Sequence, residues 1–175
     1  MKRLLIMRHA TPAEAGHDGT DHTRPLNELG HREAYIQGSF LREAGVIPHL
    51  VLSSSAYRAR ETSEVIVDAL DLGRAPDYGG VLTVRDDLYN APGTMLLSIL
   101  QLTPDPVDTL LVVAHMPGVA ELLSHLTVDS GEMATAFQPG TLVAVSMPDA
   151  PNWAEVGYGS GMMEWCIPPL LLHYP

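Results

Sequence analysis

The segment T-L-L-V-V-A-H-M-P-G, residues 109–118, decides the fold class of this chain. Its continuous apolar run, 109–113, is typical of a central strand in a parallel sheet, because such a strand is buried on both faces. Pro117 then suits the first turn of a helix, where its missing N–H leaves no hydrogen bond unmade. A buried strand followed at once by a helix predicts an α/β domain.

The same alternation of short apolar runs and amphipathic stretches extends in both directions along the chain. It predicts strands at residues 3–7, 49–52, 81–84, 109–113, 142–147 and 162–167, and helices at 28–44, about 62–72, 92–102 and from 117 onward. Segment 10–27 is rich in Gly, Asp, Thr, His and Pro and is predicted to be a long loop. No repeat or linker interrupts the pattern, so we expect one domain over residues 1–175.

Composition and charge exclude several classes of function. With 46% hydrophobic residues the chain is not expected to be disordered. Its apolar runs fall short of the ~20 residues that a membrane helix needs. Asp and Glu outnumber Lys and Arg by 21 to 10, and a net charge of −11 is unsuited to binding nucleic acid or an anionic membrane. The single cysteine, Cys166, permits no intrachain disulfide, and no secretory leader is recognisable, so we expect a cytoplasmic protein.

Four polar segments each follow the carboxyl end of a predicted strand. They are Arg8-His9, residues 53–60, Asp86-Asp87 and His115. In an open α/β sheet these ends meet at one edge, and ligands bind along that edge. Guanidinium groups, imidazoles and the N-termini of helices together favour a tetrahedral oxyanion, above all phosphate.

Four motifs occur in order and at sensible spacing along the chain. They are L-L-I-M-R-H-A at 4–10, R-P-L-N-E-L-G at 24–30, V-L-S-S-S-A-Y-R-A-R-E-T at 51–62 and L-L-V-V-A-H-M-P-G at 110–118. Together they resemble the histidine phosphatase superfamily, and most of all its small SixA-type phosphohistidine phosphatase branch. W-C-I-P-P-L-L at 165–171 is similar to the closing strand of such proteins. The resemblance covers nearly the whole chain. It implies a phosphoglycerate mutase-like fold, which is a three-layer α/β/α sandwich with a mostly parallel central sheet, and no cofactor.

The resemblance also implies a role for each residue of the cluster. His9 would attack phosphorus and form a covalent phosphohistidine intermediate, which requires a neutral ring. Arg8 and Arg58 would hold the equatorial oxygens, and His115 would be a further donor to them. Arg60 is the alternative to Arg58, but it would lie on a different face of its helix and suits an ion pair with Glu64 at i,i+4.

Two assignments stay open at this point. Arg24 is either a phosphate or substrate contact, or the ion-pair partner of Asp18 or Asp21 in the loop. Asp87, with Asp86 beside it, follows the third strand, where ester-cleaving members of the superfamily place a general acid. The alternative for Asp87 is a solvated or helix-capping carboxylate.

We therefore expect a metal-independent phosphatase that hydrolyses phosphohistidine on a protein, or a small phosphomonoester, and releases inorganic phosphate. A phosphoglycerate mutase-like phosphotransferase is one alternative, although so short a chain has few residues for substrate-enclosing segments. A non-catalytic phosphate- or phosphoprotein-binding module is another. The loop residues His17, Asp18, Asp21 and His22 could chelate a metal, but polar loops often gather such residues, and we expect no metal site.

Other catalytic motifs are missing from the sequence. No G-x-x-x-x-G-K-[ST] loop and no G-x-S-x-G elbow occurs. Cys166 has no downstream arginine at the spacing of a phosphate loop. These absences exclude the usual nucleotide-binding loops, serine hydrolases of the elbow type and cysteine phosphatases.

Overall fold

A computed structural model describes residues 1–72, 80–127 and 137–171, and a six-stranded sheet forms the centre of these parts. The strands are β1 Lys2–Arg8, β2 Leu50–Ser54, β3 Leu82–Arg85, β4 Thr109–Ala114, β5 Leu142–Met147 and β6 Met162–Ile167. The helices are α1 Glu28–Glu43, α2 Tyr57–Ala69, α3 Gly93–Gln101 and α4 Gly118–Leu126, with 3₁₀ turns at Asp86–Leu88, Trp153–Glu155 and Pro169–Leu171. Within these ranges no helix combines the length and apolar character needed to cross a bilayer.

The order of the strands across the sheet is β3-β2-β4-β1-β5-β6. The first four run parallel to one another, and β5 and β6 pair antiparallel at the other side. Arg8 lies beside Ala114 in the register, and Ser54 lies beside Arg85. The carboxyl ends of the four parallel strands are therefore level at one edge. This confirms the predicted α/β class with a mostly parallel central sheet.

Helices cover both faces of the sheet and make it the middle of three layers. Ile6 and Val112 face the core formed with α3 and α4, whereas Met7 and Val113 face the core formed with α1 and α2. All four side chains are buried. Burying a side chain of this size is worth about 1.5–3 kcal/mol, so both faces anchor the central strands and hold their ends in place.

Two glycines allow backbone segments to approach each other at the carboxyl edge. A Cβ on Gly30 would lie 2.1 Å from the carbonyl oxygen of Thr11, and one on Gly118 would lie 2.0 Å from that of Ala91. No side chain fits at such distances, so the motifs R-P-L-N-E-L-G and H-M-P-G need glycine there. The side chain of Asn27 caps α1 by accepting from the N–H of Gly30 at 2.8 Å.

The main departure from the predicted elements concerns β2 and the helix after it. The strand continues to Ser54 rather than stopping at 52, and α2 begins at Tyr57 rather than near 62. Serines at the end of an apolar run suggested a loop, but Ser53 and Ser54 are both fully buried. The Ser53 hydroxyl donates to the Ser54 carbonyl at 3.0 Å, and the Ser54 hydroxyl accepts from the N–H of Ala56 at 3.3 Å. These bonds satisfy the hydroxyls within the fold. Arg58 consequently lies in the first turn of α2.

Candidate active site

His9 follows β1 directly and is buried at the carboxyl edge of the sheet, with 6% of its surface exposed. Its N–H donates to the carbonyl of Ala114 at 3.1 Å, and its own carbonyl accepts from the N–H of Gly140 at 3.1 Å. The ring nitrogen Nδ1 lies 2.8 Å from the carbonyl oxygen of Ala10. Because a carbonyl oxygen can only accept, Nδ1 carries the proton and Nε2 keeps its lone pair.

Arg58 reaches this lone pair from the first turn of α2. Its Nε donates to Nε2 of His9 at 3.2 Å, and its Nη2 lies 3.4 Å from Nδ1 of His115. On its other side, Nη1 donates to the main-chain carbonyl of Asp21 at 2.6 Å and Nη2 donates to the Asp21 carboxylate at 2.9 Å. One buried guanidinium thus contacts both imidazoles and the loop that follows β1.

His115 is the first residue after β4 and is buried beside His9, with the ring centroids 5.1 Å apart. Its Nε2 lies 2.7 Å from the hydroxyl oxygen of Ser54. The guanidinium of Arg58 can only donate, so Nδ1 of His115 accepts and its Nε2 carries the proton that is donated to Ser54. The lone pairs of both histidines are therefore directed at Arg58.

Burial and neighbouring cations keep both imidazoles neutral. Burial lowers the pKa of His9 to about 3, with smaller contributions from His115 and Arg58, against the opposing hydrogen bond to Ala10. Burial, followed by the charge of Arg58, lowers the pKa of His115 to about 4. At neutral pH His9 is thus unprotonated at Nε2, which is the state that a nucleophile needs.

Arg8 supplies a second cation at the same edge, as the last residue of β1. Its Nη1 donates to the carbonyl of Phe137 at 2.8 Å, and its Nε is buried without a hydrogen-bond partner among the described residues. Burial and then the charge of Arg58 lower the pKa of Arg8. Two cations that repel each other across a buried site favour an anion between them.

Arg24 forms the ion pair that was the alternative to a substrate contact. Its Nε donates to the carbonyl of Ala13 at 2.9 Å, and its Nη1 donates to Oδ1 of Asp21 at 3.0 Å. Oδ2 of Asp21 accepts from the hydroxyl of Tyr89 at 2.9 Å and from Arg58. Partial burial raises the pKa of Asp21, but the hydrogen bonds from Arg24, Tyr89 and Arg58 outweigh it and lower that pKa to about 2. The carboxylate is ionised and shared between two arginines.

Asp87 and Arg60 each have a neighbouring partner. Arg85 binds Asp87 with two hydrogen bonds, from Nε at 2.8 Å and from Nη2 at 2.6 Å, and these bonds lower the pKa of the carboxyl group. A general acid must carry a proton, so that role would require the ion pair to open. The predicted pair between Arg60 and Glu64 is confirmed, with Nε and Oε1 at 3.1 Å on the exposed side of α2.

The loop residues considered for a metal make other contacts. Asp18 accepts from the N–H of Thr20 at 2.9 Å and from the hydroxyl of Thr23. Nε2 of His22 lies 3.0 Å from the hydroxyl of Ser55. In the three described ranges of the chain, no group of three or more His, Cys, Asp or Glu side chains could hold a metal ion.

Three residues of the cluster received no site role from the sequence. Ser54 binds His115, Asp21 binds Arg58, and the ring of Tyr89 stands edge-on to His115 with centroids 5.5 Å apart. Ser54 could have been recognised as a candidate site residue, because it is a polar residue at the carboxyl end of an apolar strand. Asp21 and Tyr89 lie in loops whose paths leave no local pattern in the sequence.

Known proteins of similar sequence and structure match almost the full length of this chain. Phosphohistidine phosphatase SixA of Escherichia coli K12 is 27% identical over 167 residues, 95% of this chain and 94% of its own. An uncharacterised protein of Mycobacterium tuberculosis is 36% identical over 161 residues, 87% of this chain and 93% of its own. The structure of the protein histidine phosphatase SixA complexed with tungstate superposes with a TM-score of 0.78 at 26% identity, covering 98% and 99% of the two chains. This chain belongs to the histidine phosphatase superfamily.

Within that superfamily the chain is of the SixA type, because the match in sequence and structure extends over nearly all of both chains. This confirms the resemblance inferred from the four motifs and the phosphoglycerate mutase-like fold that it implied. A scan against models of protein families gave no match.

Proposed function

We propose that this SixA-type histidine phosphatase hydrolyses phosphohistidine carried on a protein, through a covalent intermediate on His9. The observation that carries the proposal is the arrangement around Nε2 of His9, an unprotonated nitrogen that accepts from Nε of Arg58, with the His115 ring beside it and Arg8 nearby. The related SixA structure is complexed with tungstate, a tetrahedral oxyanion like phosphate.

The chemistry proceeds in two displacements at phosphorus. Nε2 of His9 forms a bond to phosphorus as the P–N bond to the substrate imidazole breaks, and the imidazole, already protonated on its other nitrogen, leaves as a neutral ring. The hydrogen bond from Nδ1 of His9 to Ala10 stabilises the positive charge that grows on the ring. Water then attacks phosphorus, the bond to His9 breaks and inorganic phosphate leaves.

Two arginines and a histidine would bind the transferred group. Nε of Arg58 now occupies the lone pair of His9, so the guanidinium must turn toward the phosphate oxygens before attack. Arg8 would bind those oxygens from the end of β1, and charge is stabilised where it spreads in the transition state. A phosphate dianion beside His115 raises the pKa of that ring, so that Nδ1 would be protonated and donate while Nε2 stays bound to Ser54.

The state of Asp87 supports phosphohistidine over an ester as the substrate. Its carboxyl group is held by Arg85 with a lowered pKa, which disfavours proton donation to an alkoxide, whereas an imidazole leaves without a general acid. Arg24 would contact the substrate only after breaking its ion pair with Asp21. The net charge of −11 disfavours small anionic metabolites at long range, which supports a phosphate carried on a protein.

The test is to trap the intermediate by rapid quench with radiolabelled phosphoramidate. Samples are quenched in alkali, where phosphohistidine survives. We expect label on the wild type, none on His9→Ala, and full label on His31→Ala, which removes an exposed histidine of α1. The arginines supply the positive charge in this scheme, so turnover should persist in the presence of a chelator.

Three results would contradict the proposal. Label on His9→Ala would refute His9 as the nucleophile. No label on either protein, with phosphate still bound, would favour the binding module. Transfer of phosphate between the 2- and 3-positions of phosphoglycerate would favour the phosphotransferase.

A further inference from the structure

We propose that Asp21 competes with the substrate's phosphate for Arg58, and that this competition sets the affinity for phosphate and speeds release of the product. The inference rests on the proposed function only in taking phosphate as the anion that Arg58 binds. It assigns Asp21 a positioning role, exerted through the guanidinium, rather than contact with the reacting atoms.

The carboxylate of Asp21 occupies a donor that phosphate needs. Oδ2 lies 2.9 Å from Nη2 of Arg58, and the same Nη2 is 3.4 Å from Nδ1 of His115. The remaining donors point to Nε2 of His9 and to the main-chain carbonyl of Asp21. In this arrangement Arg58 faces a carboxylate on one side and the two histidines on the other. A phosphate in front of His9 would be held by Nε and Nη2 of Arg58, and the carboxylate of Asp21 is bonded to that same Nη2.

The two anions compete for Arg58 because they share a donor atom and repel each other. A guanidinium offers parallel N–H groups that suit either a carboxylate or a phosphate, and like charges held close together in a partly buried site repel. Half of the Asp21 side chain is exposed, at 50%, whereas that of Arg58 is only 6% exposed. Asp21 is therefore the partner whose side chain can move out toward solvent, whereas the guanidinium of Arg58 can only turn within the buried site.

Two further donors keep the carboxylate within reach while phosphate is bound. Tyr89 donates to Oδ2 and Arg24 donates to Oδ1, and neither hydrogen bond involves Arg58. After the second displacement, inorganic phosphate would be held between Arg8 and Arg58, and strong binding there would delay its departure. The return of Asp21 to Arg58 offsets that attraction at the moment when the product must leave.

The exchange needs only a side-chain movement, because the backbone of the loop has its own attachments. The main-chain carbonyl of Asp21 accepts from Nη1 of Arg58 at 2.6 Å, and the carbonyl of His22 accepts from the N–H of Tyr57 at 3.0 Å. Glu61 also accepts from the N–H of Leu26 at 2.6 Å. Replacing the Asp21 carboxylate therefore leaves these bonds, and the path of the loop, in place.

The experiment is a calorimetric titration of inorganic phosphate into Asp21→Asn, wild type and Glu64→Gln. Glu64 is the matched control, because its side chain is 48% exposed and it also pairs with an arginine of α2. We expect Asp21→Asn to lower the Kd for phosphate by roughly three- to tenfold, as removal of a half-exposed charged competitor implies. Glu64→Gln should bind phosphate as the wild type does.

The titration is repeated in a His9→Ala background, so that it is independent of turnover and of the covalent intermediate. In steady-state assays the inhibition constant for phosphate should fall with the Kd, and kcat should fall relative to the single-turnover rate. An unchanged or weaker affinity in Asp21→Asn, at a native melting temperature, would overturn the proposal. If that variant melts below the assay temperature, Asp21→Ser is judged by the same criterion.

Discussion

Ser54→Ala tests whether a single hydroxyl fixes the tautomer of His115. The hydroxyl lies 2.7 Å from Nε2 of His115, and Ser54 is fully buried, so the substitution leaves a buried N–H without an acceptor. That loss costs about 1–3 kcal/mol in the free energy of unfolding. In a chain of this length it corresponds to a melting temperature lower by roughly 2–12 °C. Without that acceptor the ring is no longer fixed in place, and the doubly protonated form that would donate from Nδ1 to phosphate loses the hydrogen bond of its Nε2–H.

The assay is kcat/KM for phosphohistidine together with the melting temperature, and Ser53→Ala is the control. Ser53 is equally buried on the same strand, and its hydroxyl donates to the Ser54 carbonyl at 3.0 Å. Removing one donor to the transition state costs about 10²–10³ in rate, so we expect Ser54→Ala to lose up to about a hundredfold and Ser53→Ala to lose stability alone. Equal losses of kcat/KM in the two variants, or full activity in Ser54→Ala, would refute the assignment of the tautomer.

Three other outcomes can be measured independently. The pKa values of His9 and His115 lie at about 3 and about 4, below the ordinary 6.5, so the unfolded chain binds more protons than the folded chain at acid pH. These two groups should leave the free energy of unfolding undiminished above pH 6.5 and lower it as the pH drops toward 4. Urea titrations at several pH values should show that this free energy depends less steeply on pH in His9→Asn. Gly118→Ala places a Cβ 2.0 Å from a backbone carbonyl oxygen and should lower stability by about 2–4 kcal/mol, whereas Gly157→Ala, with nothing within 4 Å, should be nearly neutral in thermal melts. Asp87→Asn should slow ester hydrolysis by about 10²–10⁴ and spare phosphohistidine if Asp87 is the general acid, while equal small effects on the two substrates would exclude that role.

Local patterns were sufficient to predict most of the fold. The continuous apolar run at 109–113 predicted the central strand, and the predicted strands at 142–147 and 162–167 have the observed bounds. Strand β2 was predicted too short because its last residues are serines. The Ser53 hydroxyl bonds within the strand and the Ser54 hydroxyl contacts His115 of another segment, and hydropathy registers neither contact.

The part of the site that could be predicted consists of residues at the carboxyl ends of parallel strands, because the fold class brings those ends together. His9, Arg58 and His115 are in contact, as the sequence predicted from their positions after parallel strands. The pair of Arg60 with Glu64 depends only on helical spacing and was also foreseen. The sharing of Asp21 between Arg24 and Arg58 depends instead on the path of an eighteen-residue loop, about 10–27, for which sequence offers no periodic signal. The catalytic roles, the single domain and the cytoplasmic location stay predictions.

The strand order has a consequence for refolding. His9 and His115 follow β1 and β4, whose pairing joins residues 8 and 114, more than half the chain length apart. Closing so long a segment is entropically unfavourable and slows the formation of parallel sheets. A collapsed chain with helices formed but without this one pairing has no phosphate site. During refolding, phosphatase activity should therefore return later than the helical circular dichroism signal, and it would report when the centre of the sheet is complete.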